Sequence, residues 1–316
     1  MELISVFEYS GWSIRYSLSH IKDADPQKPT KTAVFVHGTP WSSAVYKPVI
    51  EALQARGSIN ILTYDLPGYG QSQSYAPTEE DSCSAAGFEG DTSVGFQART
   101  LSALLQHLQL DGKNGNLVPA VVAHDIAGAI VLRAHLIHGC EFSTMMLMDT
   151  NAVLPWGDGF YRLVRSEPET FQKLPSSIFE ATVRAVIRSA CYDPNVLQSG
   201  WEDVLAMPWI GGVGAGGEAD QRQRSFVRQI AQANDKDVAE MLEGDSYARV
   251  RCDVKVLWGE NDTWIPKERI EELVARMKGR VKEKVFVPKA GHLVMLDQPA
   301  RVAVEIYDWL IRAEGP

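Results

Sequence analysis

The residue with the clearest chemical potential is Asp125, in the run His124-Asp125-Ile126-Ala127-Gly128. An apolar stretch with Ala120, Val121 and Val122 leads into it, and the helical pattern Ala129-Ile130-Val131-Leu132 follows. A strand, a sharp turn and a helix in that order present a nucleophile at the turn, most often within G-x-S-x-G. Here the central residue is an aspartate. The turn is tight enough to demand small neighbours, and Ala123, Ala127 and Gly128 supply them. A carboxylate so placed can attack an electrophilic carbon and form an ester. An aspartate after a strand is also a common helix N-cap, which is the alternative for Asp125 taken alone.

Partners for such a carboxylate occur elsewhere in the chain. The apolar run Thr32–Val36 ends in His37-Gly38-Thr39-Pro40, a turn that can aim the Thr39 N–H at a ligand. With the N–H of Ile126 it would form an oxyanion hole. A second run, Val254–Trp258, ends in Gly259-Glu260-Asn261-Asp262, and a last one, Lys284–Val287, is followed by Ala290-Gly291-His292. Loops after parallel strands share one sheet edge, where active-site groups converge.

The elements that must position these groups alternate as a largely parallel sheet requires. A hairpin (Ile4–Glu8, Trp12–Ser17) precedes strands at Thr32–Val36, Ile59–Asp65, Ala120–Ala123, Thr144–Met148, Val254–Trp258 and Lys284–Val287. Between them lie helical patterns at Val45–Arg56, Val94–Leu110, Gly128–His138, Lys267–Met277 and Ala300–Arg312. Leu101, Leu104, Leu105 and Leu108 fall on one helical face, which predicts packing on the sheet. The stretch from about 155 to 245 breaks this alternation. It is helical and rich in aromatics, and it contains the glycine run Gly211–Gly217, interrupted by Val213 and Ala215. We read it as an inserted cap, with residues 1–154 and 246–316 forming an α/β core. The glycine run and the segment Ala76–Asp91 read as loops.

Composition narrows the partners. Hydrophobic residues make up 45% of the 316 residues and charged ones 22%, the balance of an ordinary globular protein. The net charge of -9 without a basic stripe argues against nucleic acid and anionic membranes. Cys83, Cys140, Cys191 and Cys252 are scattered, which suits free thiols in a reducing compartment. With no leader-like start and no membrane-spanning apolar run, a cytoplasmic enzyme is the expectation, as a monomer or homodimer.

Together, His37-Gly38-x-Pro40, Asp65-x-Pro67-Gly68-Tyr69-Gly70-Gln71-Ser72, His124-Asp125, Asp262 and His292 resemble the α/β-hydrolase fold over nearly the whole chain. The set is more similar to the aspartate-nucleophile branch, epoxide hydrolases and haloalkane or haloacetate dehalogenases, than to serine esterases. The resemblance implies a triad of Asp125, His292 and Asp262, an oxyanion hole at Thr39 and Ile126, and no cofactor or metal. It further implies an alkyl-enzyme ester that a His292-activated water hydrolyses.

The leaving group is less directly written. Dehalogenases of this branch carry a tryptophan or arginine after the nucleophile, and epoxide hydrolases usually a tryptophan; this chain has Ile126. Epoxide hydrolases resemble one another in using cap tyrosines as acids, which makes Tyr161 the preferred candidate among Tyr161, Tyr192, Tyr247 near the cap's end and Tyr46 outside it. His37, Trp41, His124, Trp156, Tyr161 and Tyr192 are expected around a small apolar or aromatic substrate. Trp41 and Trp156 are alternative N–H donors to a halide, although packing is the ordinary role of each. His124 is expected mainly to shape the elbow, and Asp65 to tie down a turn. Asp149 is the alternative to Asp262 as triad acid. Epoxide opening is the leading expectation, dehalogenation the runner-up, and a non-hydrolytic lyase or isomerase with Asp125 as base the third.

Overall fold

Five-residue runs of buried side chains set the centre of the molecule. Thr32–Val36, Ala120–His124 and Thr144–Met148 are buried at every position, as strands covered on both faces must be. The computed structural model describes residues 1–20, 31–57, 59–77, 88–157, 159–210 and 217–312. Within these, eight strands form one sheet: β1 (Ser5–Tyr9), β2 (Trp12–Ser19), β3 (Thr32–Val36), β4 (Asn60–Tyr64), β5 (Ala120–His124), β6 (Thr144–Met148), β7 (Asp253–Gly259) and β8 (Val281–Val287). Their order is β1-β2-β4-β3-β5-β6-β7-β8. The β1–β2 and β2–β4 pairs are antiparallel and the rest parallel.

The register aligns the strand ends that carry the site. Val36 pairs with Ala123, His124 with Met148, Met148 with Leu257, and Gly259 with Val287. The loops after β3, β5, β6, β7 and β8 therefore emerge along one edge.

Helices α1 (Lys47–Arg56), α2 (Val94–His107) and α3 (Ile126–Leu136) follow β3, β4 and β5. Helices α4 (Gly159–Ser166), α5 (Pro168–Gln172), α6 (Ser176–Ser189), α7 (Trp201–Ala206), α8 (Gly217–Gln232) and α9 (Lys236–Leu242) lie between β6 and β7. Helices α10 (Lys267–Arg276), α11 (Val294–Asp297) and α12 (Pro299–Arg312) complete the chain. α2 packs on α3, and α1 on α12. In α12, Val302, Ala303, Ile306, Trp309 and Leu310 are buried, one apolar stripe at helical spacing.

Two expected boundaries shift for physical reasons. The helix expected over Val45–Arg56 is a 3-10 turn, Ser43–Tyr46, followed by α1, which has a proline in its first turn. The last strand begins at Val281, three residues earlier than the apolar pattern indicates. It pairs on one side only and is half exposed, so Lys282, Glu283 and Lys284 conceal it.

The helical insertion has its own apolar contacts, with the Trp209 and Phe179 rings both edge-on to Phe226. It docks on the sheet edge through Trp209, whose indole N–H donates to the Pro40 carbonyl at 2.7 Å. Gln229 adds a bond to the Gly68 carbonyl at 2.6 Å. Its last helix, α9, packs instead on α3: Arg133 donates to the Asp237 carbonyl at 3.0 Å and to Glu240 at 2.6 Å. Residues 211–216 of the glycine run and 78–87 of the Ala76–Asp91 segment, including Cys83, lie outside the described residues. Cys140, Cys191 and Cys252 are free thiols. No helix among the described residues is long and apolar enough to cross a membrane.

Candidate active site

Asp125 sits where β5 turns sharply into α3, with φ at 56° and ψ at -125°. Side chains rarely adopt such a backbone conformation, and it persists only where the surroundings enforce it. Here the packing is close on two sides. A Cβ on Gly38 would lie 2.5 Å from the Asp125 Cβ, and one on Gly128 would collide with Thr150. Asp125 makes no side-chain cap bond to α3, so the helix-cap alternative fails. Its carboxylate turns the other way, toward the loop after β3.

There the Thr39 N–H donates to Asp125 Oδ2 at 2.9 Å, and the Ile126 N–H lies beside the carboxylate and favours its charge. The two N–H groups expected to form an oxyanion hole thus both face the Asp125 carboxylate, and Oδ2 lies against that of Thr39. Burial pushes the Asp125 carboxyl up, while His292 and the two backbone donors pull against that rise.

Asp125 Oδ1 lies 3.8 Å from His292 Nε2. The opposite ring nitrogen, Nδ1, is 3.0 Å from Asp262 Oδ2. Asp262 is itself fixed, because its Oδ1 accepts the N–H groups of Trp264 at 2.8 Å and Ile265 at 3.1 Å. Its side chain and that of His292 are fully buried. Two carboxylates and one imidazole, from three loops, therefore form one line, Asp125–His292–Asp262.

Asp149 is fully buried beside this line but not on it. Its Oδ1 accepts the Gly259 N–H at 2.8 Å. Burial, and after it the Asp262 carboxylate, push its pKa well above the usual carboxylate range. His292 meets Asp262, and Asp149 backs that acid.

The cavity over Asp125 is about 50 Å³ and is lined by Thr39, Asp125, Ile126, Asn151, Trp156 and Tyr161, with further walls from Arg165 and Trp264. Of the residues expected around the substrate, Trp156 and Tyr161 are in this lining. The Trp156 indole N–H is spent on the Asn151 carbonyl at 3.2 Å. The Tyr161 hydroxyl is 3.5 Å from the Thr39 carbonyl, beside the oxyanion loop.

The other four stand elsewhere. His37 is buried, donating from Nδ1 to the Gly38 carbonyl at 2.8 Å and accepting the Leu66 N–H at Nε2, 3.0 Å away. Both nitrogens serve the turn, and burial lowers its pKa. His124 donates from Nε2 to the His292 carbonyl at 2.8 Å and is held neutral by burial and by His292. Trp41 is buried behind the wall, stacked on Trp264 with centroids 5.7 Å apart. Tyr192 is 47% exposed, outside the lining, and its N–H is taken by Asp297 at 2.9 Å. The turn after α6 thus places it outside the cavity over Asp125, against the expectation that it lines the substrate. Asp65 ties down its turn as expected, accepting the N–H groups of Ser43 and Gln71, each at 2.7 Å.

Asn151, Arg165 and Trp264 are site residues that sequence reasoning missed. Trp264 follows Asp262 by two positions, the one signal in the sequence that could have drawn notice. Its ring stacks on His292, with centroids 4.7 Å apart and planes 19° apart.

The sheet order, the elbow and the triad together define a hydrolase scaffold, and comparison agrees. Residues 33–305 match the model of the alpha/beta hydrolase family, and the chain belongs to that family. No curated protein matches it. An alpha/beta hydrolase fold protein from Burkholderia ambifaria is similar over 98% of both chains, with 30% identity and a TM-score of 0.80. A protein described as an ancestral haloalkane dehalogenase is similar at 15% identity and a TM-score of 0.72, over 98% of this chain and 99% of its own. The epoxide hydrolase CorEH has the same identity and coverage, with a TM-score of 0.69. Likenesses at 15% identity speak for the fold alone.

Proposed function

We propose that the protein is an aspartate-nucleophile hydrolase that opens an epoxide through a covalent ester on Asp125. The observation that carries this reading is the division of labour within one carboxylate. Oδ2 is held by the Thr39 N–H, while Oδ1 stands 3.8 Å from the His292 base. A serine nucleophile would leave the oxyanion hole empty for the substrate's carbonyl oxygen. An aspartate nucleophile brings its own carbonyl oxygen, and that is the oxygen already seated there.

In the first step Asp125 Oδ1 bonds to a ring carbon of the epoxide and the ring C–O bond breaks. The phenol of Tyr161 gives its proton to the departing oxygen. In the second step His292 takes a proton from water, whose oxygen adds to the Asp125 carboxyl carbon. The tetrahedral oxyanion is held by the Thr39 and Ile126 N–H groups. On collapse the bond from that carbon to Oδ1 breaks, and Oδ1 leaves as a product hydroxyl with the proton from His292. The second water proton returns to Tyr161. Asp262 keeps the His292 ring oriented throughout.

An epoxide is favoured over a halide by the use of the indoles. A halide needs converging N–H donors, but Trp156 donates to Asn151 and Trp41 lies outside the cavity. A phenol is the acid an epoxide oxygen requires, and Tyr161 faces the site. The cavity walls, chiefly Ile126, Trp156, Ile230, Trp264 and Ile265, favour an apolar substrate. We place the enzyme in the cytoplasm, consistent with its free thiols.

The test is intact-protein mass after exposing His292→Gln to pooled epoxides and, separately, to pooled alkyl halides. Without its base the enzyme stalls at the ester. The expected result is a mass gain of one whole epoxide, mapped to Asp125. An alkyl gain with halide lost would replace the epoxide with a halide. A turnover-competent wild type whose His292→Gln form never carries an adduct would overturn the ester mechanism.

A further inference from the structure

Trp264 makes four separate connections around the base. Its backbone N–H donates to Asp262 Oδ1 at 2.8 Å. Its ring lies nearly parallel to His292 at 4.7 Å. Its indole N–H donates to Ser189 Oγ at 3.1 Å, a hydroxyl at the end of α6. Trp41 stacks on it at 5.7 Å, and the ring also forms part of the cavity wall.

We propose that Trp264 is a positioning residue for His292, which holds the imidazole between Asp125 and Asp262 and stabilises its protonated form, and that helix α6 sets Trp264 through Ser189. The inference rests on His292 being the base, as in the reading above, but not on the identity of the leaving group. An imidazolium forms when water gives up its proton, and a stacked indole presents the negative face of its ring system to that cation. Desolvation strengthens the attraction, since His292 is 1% exposed. The stack also restricts ring rotation, which the single bond from Nδ1 to Asp262 does not do alone. The cap thereby reaches the base through one hydrogen bond.

Other ionisable groups around His292 act on the same proton. They are Asp125 at the elbow, Asp262 after β7, His124 at the end of β5 and, behind Asp262, Asp149 at the end of β6. Each is held by groups other than the Trp264 side chain, and Tyr161, whose ring lies 5.6 Å from that of Trp264, is the remaining ionisable neighbour. A shift seen in Trp264→Leu and restored in Trp264→Phe, which keeps a ring in place, therefore reports the stack.

The experiment needs no substrate. Histidine labelled with ¹³C at Cε1 is titrated by NMR in the full chain, with the His292 signal assigned by its loss in His292→Gln. Trp264→Leu is expected to lower the His292 midpoint by about half a pKa unit. Trp264→Phe, which keeps a stacked ring, restores most of that shift. Ser189→Ala moves the midpoint in the same direction by less. A Trp264→Leu protein that folds but titrates at the wild-type midpoint overturns the proposal. Should Trp264→Leu not fold, the proposal is overturned if Trp264→Phe and Ser189→Ala both titrate as wild type. The mass-adduct experiment is independent: its failure alone removes the ester chemistry, and failure of the titration alone removes the role of Trp264.

Discussion

Asp125 and Asp149 lie in the same buried neighbourhood but have opposite tasks. In the proposed mechanism Asp125 attacks as the carboxylate, and burial raises its pKa from the ordinary aspartate value. Activity is therefore expected to be lost as pH falls through that raised value. The acid limb of kcat/KM is expected there, and Asp125→Ala is expected to cost at least about 10⁴-fold in kcat. Burial and the Asp262 carboxylate push the Asp149 pKa up. Its folded pKa exceeds its unfolded one, so the native state binds the proton more tightly. Stability is lost as pH rises above about 3.9, where the unfolded chain releases that proton. Asp149→Asn keeps the acceptor for the Gly259 N–H without the ionisable group. It is expected to unfold at a higher temperature than wild type at pH 7, with the gap closing toward pH 4. Thermal unfolding at the two pH values decides this, and a gap that widens toward pH 4 would contradict it.

At the level of elements, the site depends on how closely the β3 and β5 loops approach. Gly38→Ala places a methyl against Asp125, so it should destabilise the fold by about 1–3 kcal/mol. Activity should fall further than the lost stability explains, because the Thr39 N–H moves with the turn. Urea unfolding and kcat/KM on the same samples separate the two effects. Away from the site, β7, β8 and α12 are joined by the fully buried Lys255, 3.0 Å from Glu283 and 2.6 Å from Glu305. Lys255→Ala leaves Glu305 (side chain 13% exposed) with only Arg301, 2.6 Å away, as a cation, and removes the buried charge-assisted bond, for an expected loss of about 1–3 kcal/mol. A loss under 1 kcal/mol in urea unfolding would show that water replaces the lysine.

For the molecule as a whole, a sheet edge supplies the chemistry and a helical layer closes over it. The cavity of about 50 Å³ is small beside the roughly 300–1,000 Å³ of common ligand sites. A substrate of more than a few atoms therefore enters only if the helices over the edge move. α4 and α8 carry Tyr161, Arg165 and Ile230 of the lining. Hydrogen exchange is expected to change in those two helices when the His292→Gln ester forms, while β5 and α3 keep their protection. Equal change across sheet and cap would argue against a moving cap.

The triad was readable because each member belongs to a short turn after a strand, where chemistry and backbone geometry are encoded within a few residues. Ala123, Ala127 and Gly128 announce the elbow for that local reason, and so do Gly38 before Thr39 and Gly291 before His292. The alternation of apolar runs likewise determined the doubly wound sheet. Tertiary structure alone decided which neighbours share a cavity. Asn151, Arg165 and Trp264 come from three separate segments, and no local pattern says that they face one space. Tyr161 and Tyr192 were both candidates in the chain, with Tyr161 preferred, but only the fold turns one ring to solvent and the other toward the loop after β3. Asp262 and Asp149 divide in the same way: two carboxylates at adjacent strand ends are alike in sequence, and only the fold sets one against the imidazole and the other behind it.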